Sequence, residues 1–94
     1  MSHWNYRVIR QYVKEYEEFV YCIHGVHYND DGSIWAWTGD PATPFGNDLE
    51  EFKNDLELFN LAISTPVLEL VVKENDVEKE KELIEVGYYE QIVS

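Results

Sequence analysis

The chain has few of the residues that a disulfide framework or a membrane span requires. Cys22 is its one cysteine, so no disulfide can form within the chain, and a single thiol fits a reducing compartment. Apolar runs are only a few residues long, which excludes a transmembrane helix. The opening residues show no charged segment followed by an apolar one, so we expect no secretory signal. The sequence therefore predicts a cytoplasmic protein without a membrane span.

Basic residues are also scarce. Seven Lys and Arg stand against 19 Asp and Glu, which gives a net charge of -12 and argues against direct binding to nucleic acid or to an anionic membrane. Residues 1–40 hold six acids and three bases, whereas residues 41–94 hold thirteen acids and four bases. With 94 residues, 45% of them hydrophobic, the chain has the size of a single domain, 1–94, with a modest core.

Residues 4–40 are typical of a three-stranded antiparallel meander. Alternating apolar residues predict a half-buried first strand over 4–13, and a second strand over 19–28 is apolar on both faces. Gly25 predicts a bulge or a close backbone approach within that second strand. A turn at 29–33, with Gly32 able to adopt a positive φ, leads to a third strand over 34–38.

Residues 47–64 carry the pattern of an amphipathic helix. Asn47 is suited to the N-cap position, with Glu50 as its capping-box partner, and Thr65-Pro66 ends the helix. Apolar residues recur at spacings of three and four and form one stripe, which Leu58 and Leu61 widen: Leu49, Phe52, Leu56, Phe59 and Ile63. We expect this stripe to pack across one face of the sheet.

The acidic C-terminal segment, 66–94, has a weaker pattern. Residues 67–72 fit a fourth strand or a helical turn, and 74–85 fit a solvated helix that Gly87 ends. Residues 88–93 then form a terminal strand or a tail. The predicted fold is α+β: an antiparallel meander of three or four strands, one amphipathic helix on one face, and an acidic helical or extended tail.

No residue pattern indicates catalysis. The chain has no phosphate-binding glycine loop, no nucleophile elbow and no zinc-ligand spacing, so we predict no catalytic, cofactor-binding or metal-binding residues. Cys22 and His24 share one face of the second strand, but no orienting acid accompanies them. His24 and His27 point to opposite faces and cannot chelate one metal there. An alternative is a small-ligand site formed by Trp35, Trp37 and His24.

Two surfaces are candidates for binding a partner. Trp35 and Trp37 are predicted to share one face of the third strand, and Tyr6 shares a face of the first strand with Trp4 and Tyr12. These aromatic residues either form the core against the helix or stay exposed for a partner or a second copy. Six carboxylates either keep the chain soluble or present a negative surface to a basic protein: Asp48, Glu51, Asp55, Glu57, Glu78 and Glu82.

Several strings resemble a family of small uncharacterised bacterial proteins. They are YRVIR at 6–10, YCIHGVHYNDDGSIWAWT at 21–38, a Pro-Phe-Gly loop, LEEFKNDLELF at 49–59 and PVLEL at 66–70. The resemblance covers the meander and the helix and leaves the acidic tail outside. It implies a shared fold but no activity, because the family has no assigned function. Gly25 departs from the pattern of this family, in which a larger side chain is expected at that position.

The sequence thus predicts a non-catalytic interaction protein, bacterial or phage-borne, that binds a basic protein surface. Its most concrete version is an inhibitor that imitates a nucleic acid by placing carboxylates along a helix. The alternatives are a small-ligand-binding domain and a housekeeping protein that forms a homodimer. Charge reversal at Asp55 is expected to weaken a partner complex without unfolding the domain.

Overall fold

The computed structural model describes residues 3–74 and 79–93. The elements follow in the order β1 His3–Val13, β2 Glu18–Tyr28, β3 Ile34–Trp37, α1 Leu49–Leu61, β4 Val67–Glu74, β5 Lys79–Gly87 and α2 Tyr89–Val93. A short 3-10 turn at Ala62–Ser64 continues α1. The chain is α+β, as its sequence predicts.

The strands form one five-stranded sheet in the order β3-β2-β1-β4-β5. β1 pairs antiparallel with β2, and β2 with β3, as predicted. β4 then pairs in parallel with β1, opposite Ile9 and Arg10, and β5 pairs antiparallel with β4. The prediction of a purely antiparallel sheet of three or four strands is therefore wrong. β1 lies in the centre because α1 belongs to a crossover connection that brings β4 back alongside it.

The predicted helix over 74–85 is also wrong in the described part of that range, where residue 74 ends β4 and residues 79–85 belong to β5. Cross-strand pairing explains the difference: Leu83 lies opposite Leu70, so the apolar residues of β5 continue the row of β4. On the exposed ribbon that β4 and β5 form, Lys73 Nζ lies 2.8 Å from Glu82 Oε2. The hydrogen bond to Glu82 and the negative charge of Glu82 raise the pKa of Lys73. The terminal segment forms the short helix α2, which follows Gly87 at a φ of 135°.

Helix α1 begins two residues later than the predicted start. Asp48, and not Asn47, is the N-cap: its Oδ1 accepts a hydrogen bond from Glu51 N at 2.8 Å. The carboxylate of Glu51 accepts from Asn47 N at 3.0 Å, so the capping residues are displaced by one position from the Asn47–Glu50 pair. Just before the cap, Gly46 allows a close approach, because a Cβ there would overlap the backbone of Phe52.

The sheet has two faces with separate core clusters. The helix face, which carries α1, has Val8 and Val67 buried against Ala62 of the 3-10 turn. The open face, which neither α1 nor α2 covers, has the larger cluster, formed by Ile9, Val26, Tyr28 and Leu68. β1 is therefore buried on both faces at its middle, in contrast to the half-buried strand that its alternation predicts, because it is the central strand.

Curvature of the sheet protects the open-face cluster. β3 and β5 lie at opposite ends of the sheet, which would separate them by roughly 19 Å in a flat sheet with a strand spacing of about 4.8 Å. Yet Trp37 of β3 and Leu83 of β5 pack against the same cluster and line one cavity together. The sheet therefore curls into a half-barrel whose concave side is the open face.

Arg7 is a buried cation on the open face. Its Nη1 donates to Tyr28 Oη at 2.8 Å, and its Nη2 donates to the carbonyl oxygen of Pro66 at 2.7 Å. Tyr28 in turn donates to Asn5 Oδ1 at 2.8 Å, while Glu85 Oε1 lies 4.0 Å from Arg7 Nη2. This network joins β1, β2 and the start of β4, and within the described residues Arg7 Nε has no hydrogen-bond partner.

Candidate interaction surfaces

A row of aromatic rings crosses the helix face. The ring centroids of Trp35 and His27 lie 5.8 Å apart, and those of His27 and Trp4 lie 6.4 Å apart. Trp4 meets Tyr6 edge-to-face at 5.1 Å, and Tyr6 meets Phe59 of α1 at 4.3 Å. The two tryptophans remain largely exposed, Trp4 at 51% and Trp35 at 56%. This aromatic row connects three strands to α1.

Trp37 does not belong to that row. It lies opposite Val26 and packs against the open-face cluster, whereas Trp35 contacts His27 on the helix face. The prediction that both tryptophans share one face is wrong, because a register shift between His27 and Tyr28 interrupts the alternation. Of the two alternatives predicted at Gly25, the bulge is not found between β1 and β2, because Gly25 lies in register opposite Tyr6. A Cβ at Gly25 would lie 3.4 Å from the Thr38 side chain.

Asp55 holds α1 against the sheet. Its Oδ1 accepts from Tyr6 Oη at 2.9 Å, and its Oδ2 accepts from Phe45 N at 2.9 Å, so one carboxylate connects β1, the preceding loop and α1. Burial raises the pKa of Tyr6, and the hydrogen bond and charge of Asp55 raise it further. A residue predicted to bind a partner is thus a structural anchor.

The apolar stripe of α1 does not form the predicted core. The side of α1 that faces the sheet carries Asp55 and Phe59, and no residue of α1 itself is buried. Leu49 is 82% exposed, and Leu56, Leu58 and Leu61 are exposed as well. Because Asp55 and Phe59 turn towards the sheet, the leucines lie on the flanks and outer side of the helix.

One of these flanks borders a groove of about 460 Å³. We call it the Trp4 groove, and its lining residues are Trp4, Asn5, Tyr6, Leu58, Leu61, Ser64 and Thr65. Of the aromatic residues considered in the sequence, Trp4 and Tyr6 border this groove, and Trp35 lies further along the aromatic row, beyond His27. The sequence identifies Leu58 and Leu61 only as part of the helix stripe. Their place in this groove depends on the orientation of α1, which the contacts of Asp55 and Phe59 with Tyr6 show.

The predicted acidic residues do not form one free surface. Asp48, Glu51 and Asp55 accept backbone or side-chain hydrogen bonds around the start of α1. Glu82 pairs with Lys73 on the distant β4–β5 ribbon, and Glu78 lies outside the described residues. Glu57 is exposed on α1. The structure therefore brings three of the six together, in capping and anchoring positions.

Cys22 and His24 line a cavity of about 240 Å³ on the open face, together with Trp37, Thr38 and Lys81. His24 Nδ1 lies 2.9 Å from the carbonyl oxygen of Thr38, which fixes the orientation of the ring. The cavity is smaller than the roughly 300–1,000 Å³ typical of small-molecule sites. Trp35 lies on the other face, so the predicted ligand site of Trp35, Trp37 and His24 is not assembled.

Among residues 3–74 and 79–93, no group of three or more His, Cys, Asp or Glu is placed to hold a metal ion. Of the helices in the same residues, none has the length and apolar composition needed to cross a membrane. Comparison of the chain with protein-family models gives no match, and comparisons with curated proteins and with solved structures give none either. The resemblance to small bacterial proteins stays a prediction.

Proposed function

We propose that this chain is a non-catalytic protein-interaction module that binds a basic segment of another protein in the Trp4 groove. The observation that supports it is the exposure of Trp4, Leu58 and Leu61 around this groove. Clustered apolar side chains left in water, beside a polar rim, are typical of protein-binding sites. Trp and Leu at the centre would supply the apolar contact area that anchors a partner.

The charge of the chain selects a basic partner. A net charge of -12 attracts cations over a distance and speeds their association. Glu57 lies one helical turn before Leu61, so its carboxylate is next to the groove. The exposed faces of Trp4 and Trp35 also attract Lys and Arg side chains through cation–π contacts. The expected ligand is therefore a segment that combines an apolar anchor with Lys or Arg.

The geometry favours this version over imitation of a nucleic acid. Imitation requires a row of free carboxylates, but those of Asp48, Glu51 and Asp55 already accept hydrogen bonds within the chain. Charge reversal at Asp55 would also break the bonds to Tyr6 and Phe45, so loss of binding would not report on the surface alone. Glu57→Lys is the better charge reversal.

The test compares capture by the wild-type chain and by Leu58→Ser/Leu61→Ser from a lysate of the source organism, followed by calorimetry with the purified partner. Leu49→Ser, on the opposite flank of α1, is the matched control. We expect the double variant to bind about tenfold more weakly, or worse, because each lost apolar contact costs about 1 kcal/mol or more. Leu49→Ser should bind as the wild type does.

Salt gives an independent criterion. The affinity for the partner should fall as ionic strength rises, since screening removes the attraction between opposite charges. Glu57→Lys should weaken binding mainly by slowing association. Equal affinity of the double variant and the wild type, or an affinity that salt does not change, would contradict the proposal.

A further inference from the structure

The chain exposes more surface than a monomer of its size usually does. Its accessible surface is 7158 Å², compared with about 5,700 Å² expected for a folded monomer of 11.1 kDa. Its radius of gyration is 14.7 Å, compared with about 12 Å for a compact domain of this length. The excess of about 1,500 Å² exceeds the roughly 800 Å² that each partner contributes to a standard interface.

Part of that surface is an uncovered edge of the sheet. β3 pairs with β2 only over 26–28, and the loop after β3 adds two bonds, from Thr38 N to Gly25 O at 3.0 Å and from Ala42 N to Ile23 O at 2.8 Å. On the N-terminal side of Ile23, no strand among the described residues pairs with the outer side of β2. Residues 18–22 of β2 therefore form a free edge.

The peptide groups at this edge point outward at alternate residues. The carbonyl oxygens of Ile23 and Gly25 point away from β1, as their bonds to the loop show. In an antiparallel strand the N–H and C=O of one residue point to the same side and alternate from residue to residue, so those of Phe19 and Tyr21 also point outward. Both residues thus offer a donor and an acceptor to a further strand.

The other long edge of the sheet is protected against such pairing. Beginning at Lys79, β5 carries charged residues at five of its nine positions: Lys79, Glu80, Lys81, Glu82 and Glu85. Charged side chains on an edge strand oppose association with another strand. The segment from Phe19 to Cys22 contains no charge and no proline, and Phe19, Val20 and Tyr21 are exposed. The β2 edge therefore lacks the protection that β5 has.

We propose that two copies of this chain pair through antiparallel contact of residues 18–22 of β2, with Val20 next to the two-fold axis. In this register Phe19 lies opposite Tyr21 of the second copy, and each such pair exchanges both N–H···O bonds. Val20 meets Val20 of the second copy on the open face. The same segment forms both sides, so the contact is complete in a dimer and does not continue into a fibre.

The side chains around the edge suit this contact. Two neighbours hold Phe19 in place before pairing. The ring centroid of Tyr12 lies 5.5 Å from that of Phe19, and the guanidinium carbon of Arg10 lies 4.2 Å from the Phe19 centroid. An apolar groove of about 490 Å³ starts at Tyr21 on the helix face and is walled by Ile23, Ile63 and other residues: Val8, Cys22, Val67, Tyr89, Ile92 and Val93. It offers apolar surface for the aromatic residues of the second copy.

This interface is separate from the Trp4 groove, which lies on the other flank of α1. The two contacts also respond to salt in opposite directions. Each copy carries a charge of -12, so raising the ionic strength should strengthen the dimer by screening repulsion, whereas it should weaken binding of a basic partner. Failure of one proposal is therefore distinguishable from failure of the other.

The first test measures the mass of the full chain in solution by analytical ultracentrifugation over a range of concentrations. Tyr21→Pro removes the outward N–H and leaves the β1–β2 hydrogen bonds in place, since proline is tolerated where the N–H points away from the sheet. Tyr21→Thr removes the ring but keeps the N–H. We expect the wild type and Tyr21→Thr to dimerise and Tyr21→Pro to be monomeric.

The second test does not depend on the folding of the proline variant. In a Cys22→Ser background, Val20→Cys should form a disulfide-linked dimer on mild oxidation, because the Cα atoms of a non-hydrogen-bonded pair lie about 4.5 Å apart, within the range of a disulfide. Glu80→Cys in the same background, on the β5 edge, should not. A monomeric wild type at all concentrations, or no preference of Val20→Cys over Glu80→Cys, would overturn the proposal.

Discussion

The two faces of the sheet are stabilised in different ways. On the open face the sheet curls around Ile9, Val26, Tyr28 and Leu68, so in the described part of the chain this cluster is formed by strands alone. On the helix face, α1 lies on the sheet without burying any of its own residues. The difference shows that curvature of the sheet, more than packing of α1, builds the core. The leucines of this amphipathic helix therefore stay outside the core.

The attachment of α1 depends on a few specific contacts. Asp55 bonds to Tyr6 and Phe45, the ring of Phe59 packs on Tyr6, and Ala62 is buried next to Val8. The leucines on the two flanks take little part in these contacts. The following predictions test this contrast, beginning with the largest expected effect on stability.

Leu68→Ala should destabilise the chain most. Leu68 is fully buried at the centre of the open-face cluster, and truncation of such a leucine costs about 2–5 kcal/mol, including the cavity that remains. The measurement is the free energy of unfolding from urea denaturation. Leu61→Ala, which removes the same atoms from an exposed site on α1, is the control and should cost far less. Similar losses in both variants would show that the two faces do not differ.

Asp55→Ala should have the next largest effect. It leaves the hydroxyl of Tyr6 and the N–H of Phe45 without their acceptor. The contact of Tyr6 is part-buried, so its unpaired hydroxyl costs about 1–3 kcal/mol when it stays dry, whereas water can replace the acceptor of the exposed Phe45 N–H. The matched control is Glu57→Ala, which removes an exposed carboxylate two residues further along α1. Equal stability of the two variants would mean that Asp55 does not anchor the helix.

Much of this architecture could be predicted from the sequence, and the failures have physical causes. Local alternation and turn residues locate the first three strands and their pairing. The charges at 79–82 resemble a solvated helix, and only Leu70 and Leu83 across the hairpin reveal a strand. The orientation of α1 is harder still to predict: the spacing of its leucines shows that the helix is amphipathic, but the contacts of Asp55 and Phe59 with Tyr6 place a different side against the sheet.

The titration of Tyr6 should change the free energy of unfolding less than Leu68→Ala or Asp55→Ala does. Burial first, and then Asp55, raise the pKa of Tyr6 above its ordinary value of 10.0, because the neutral phenol is favoured in the folded chain. A raised pKa stabilises the fold below pH 10, and this contribution is lost as the pH rises through the higher folded-state value. In ultraviolet absorbance, the phenolate signal that Tyr6→Phe removes should appear above pH 10.

Asp55→Asn separates the two causes of that shift. It removes the negative charge but keeps a side chain of the same shape, so the pKa of Tyr6 should fall towards 10.0 while remaining above it because of burial. Tyr12→Phe, which removes a tyrosine from the exposed end of β1, is the control and should leave the titration of Tyr6 in place. Persistence of an unchanged Tyr6 titration in Asp55→Asn would show that Asp55 does not act on Tyr6.

The most direct measurement compares the free energy of unfolding of the wild-type chain with that of Leu58→Ser/Leu61→Ser. If α1 presents its outer flank to a partner and not to the core, the double variant should unfold within about 1 kcal/mol of the wild type, as surface substitutions do. Its loss of partner binding would then come from the surface alone. A loss of stability comparable to that of Leu68→Ala would contradict the account, because it would place both leucines in the core.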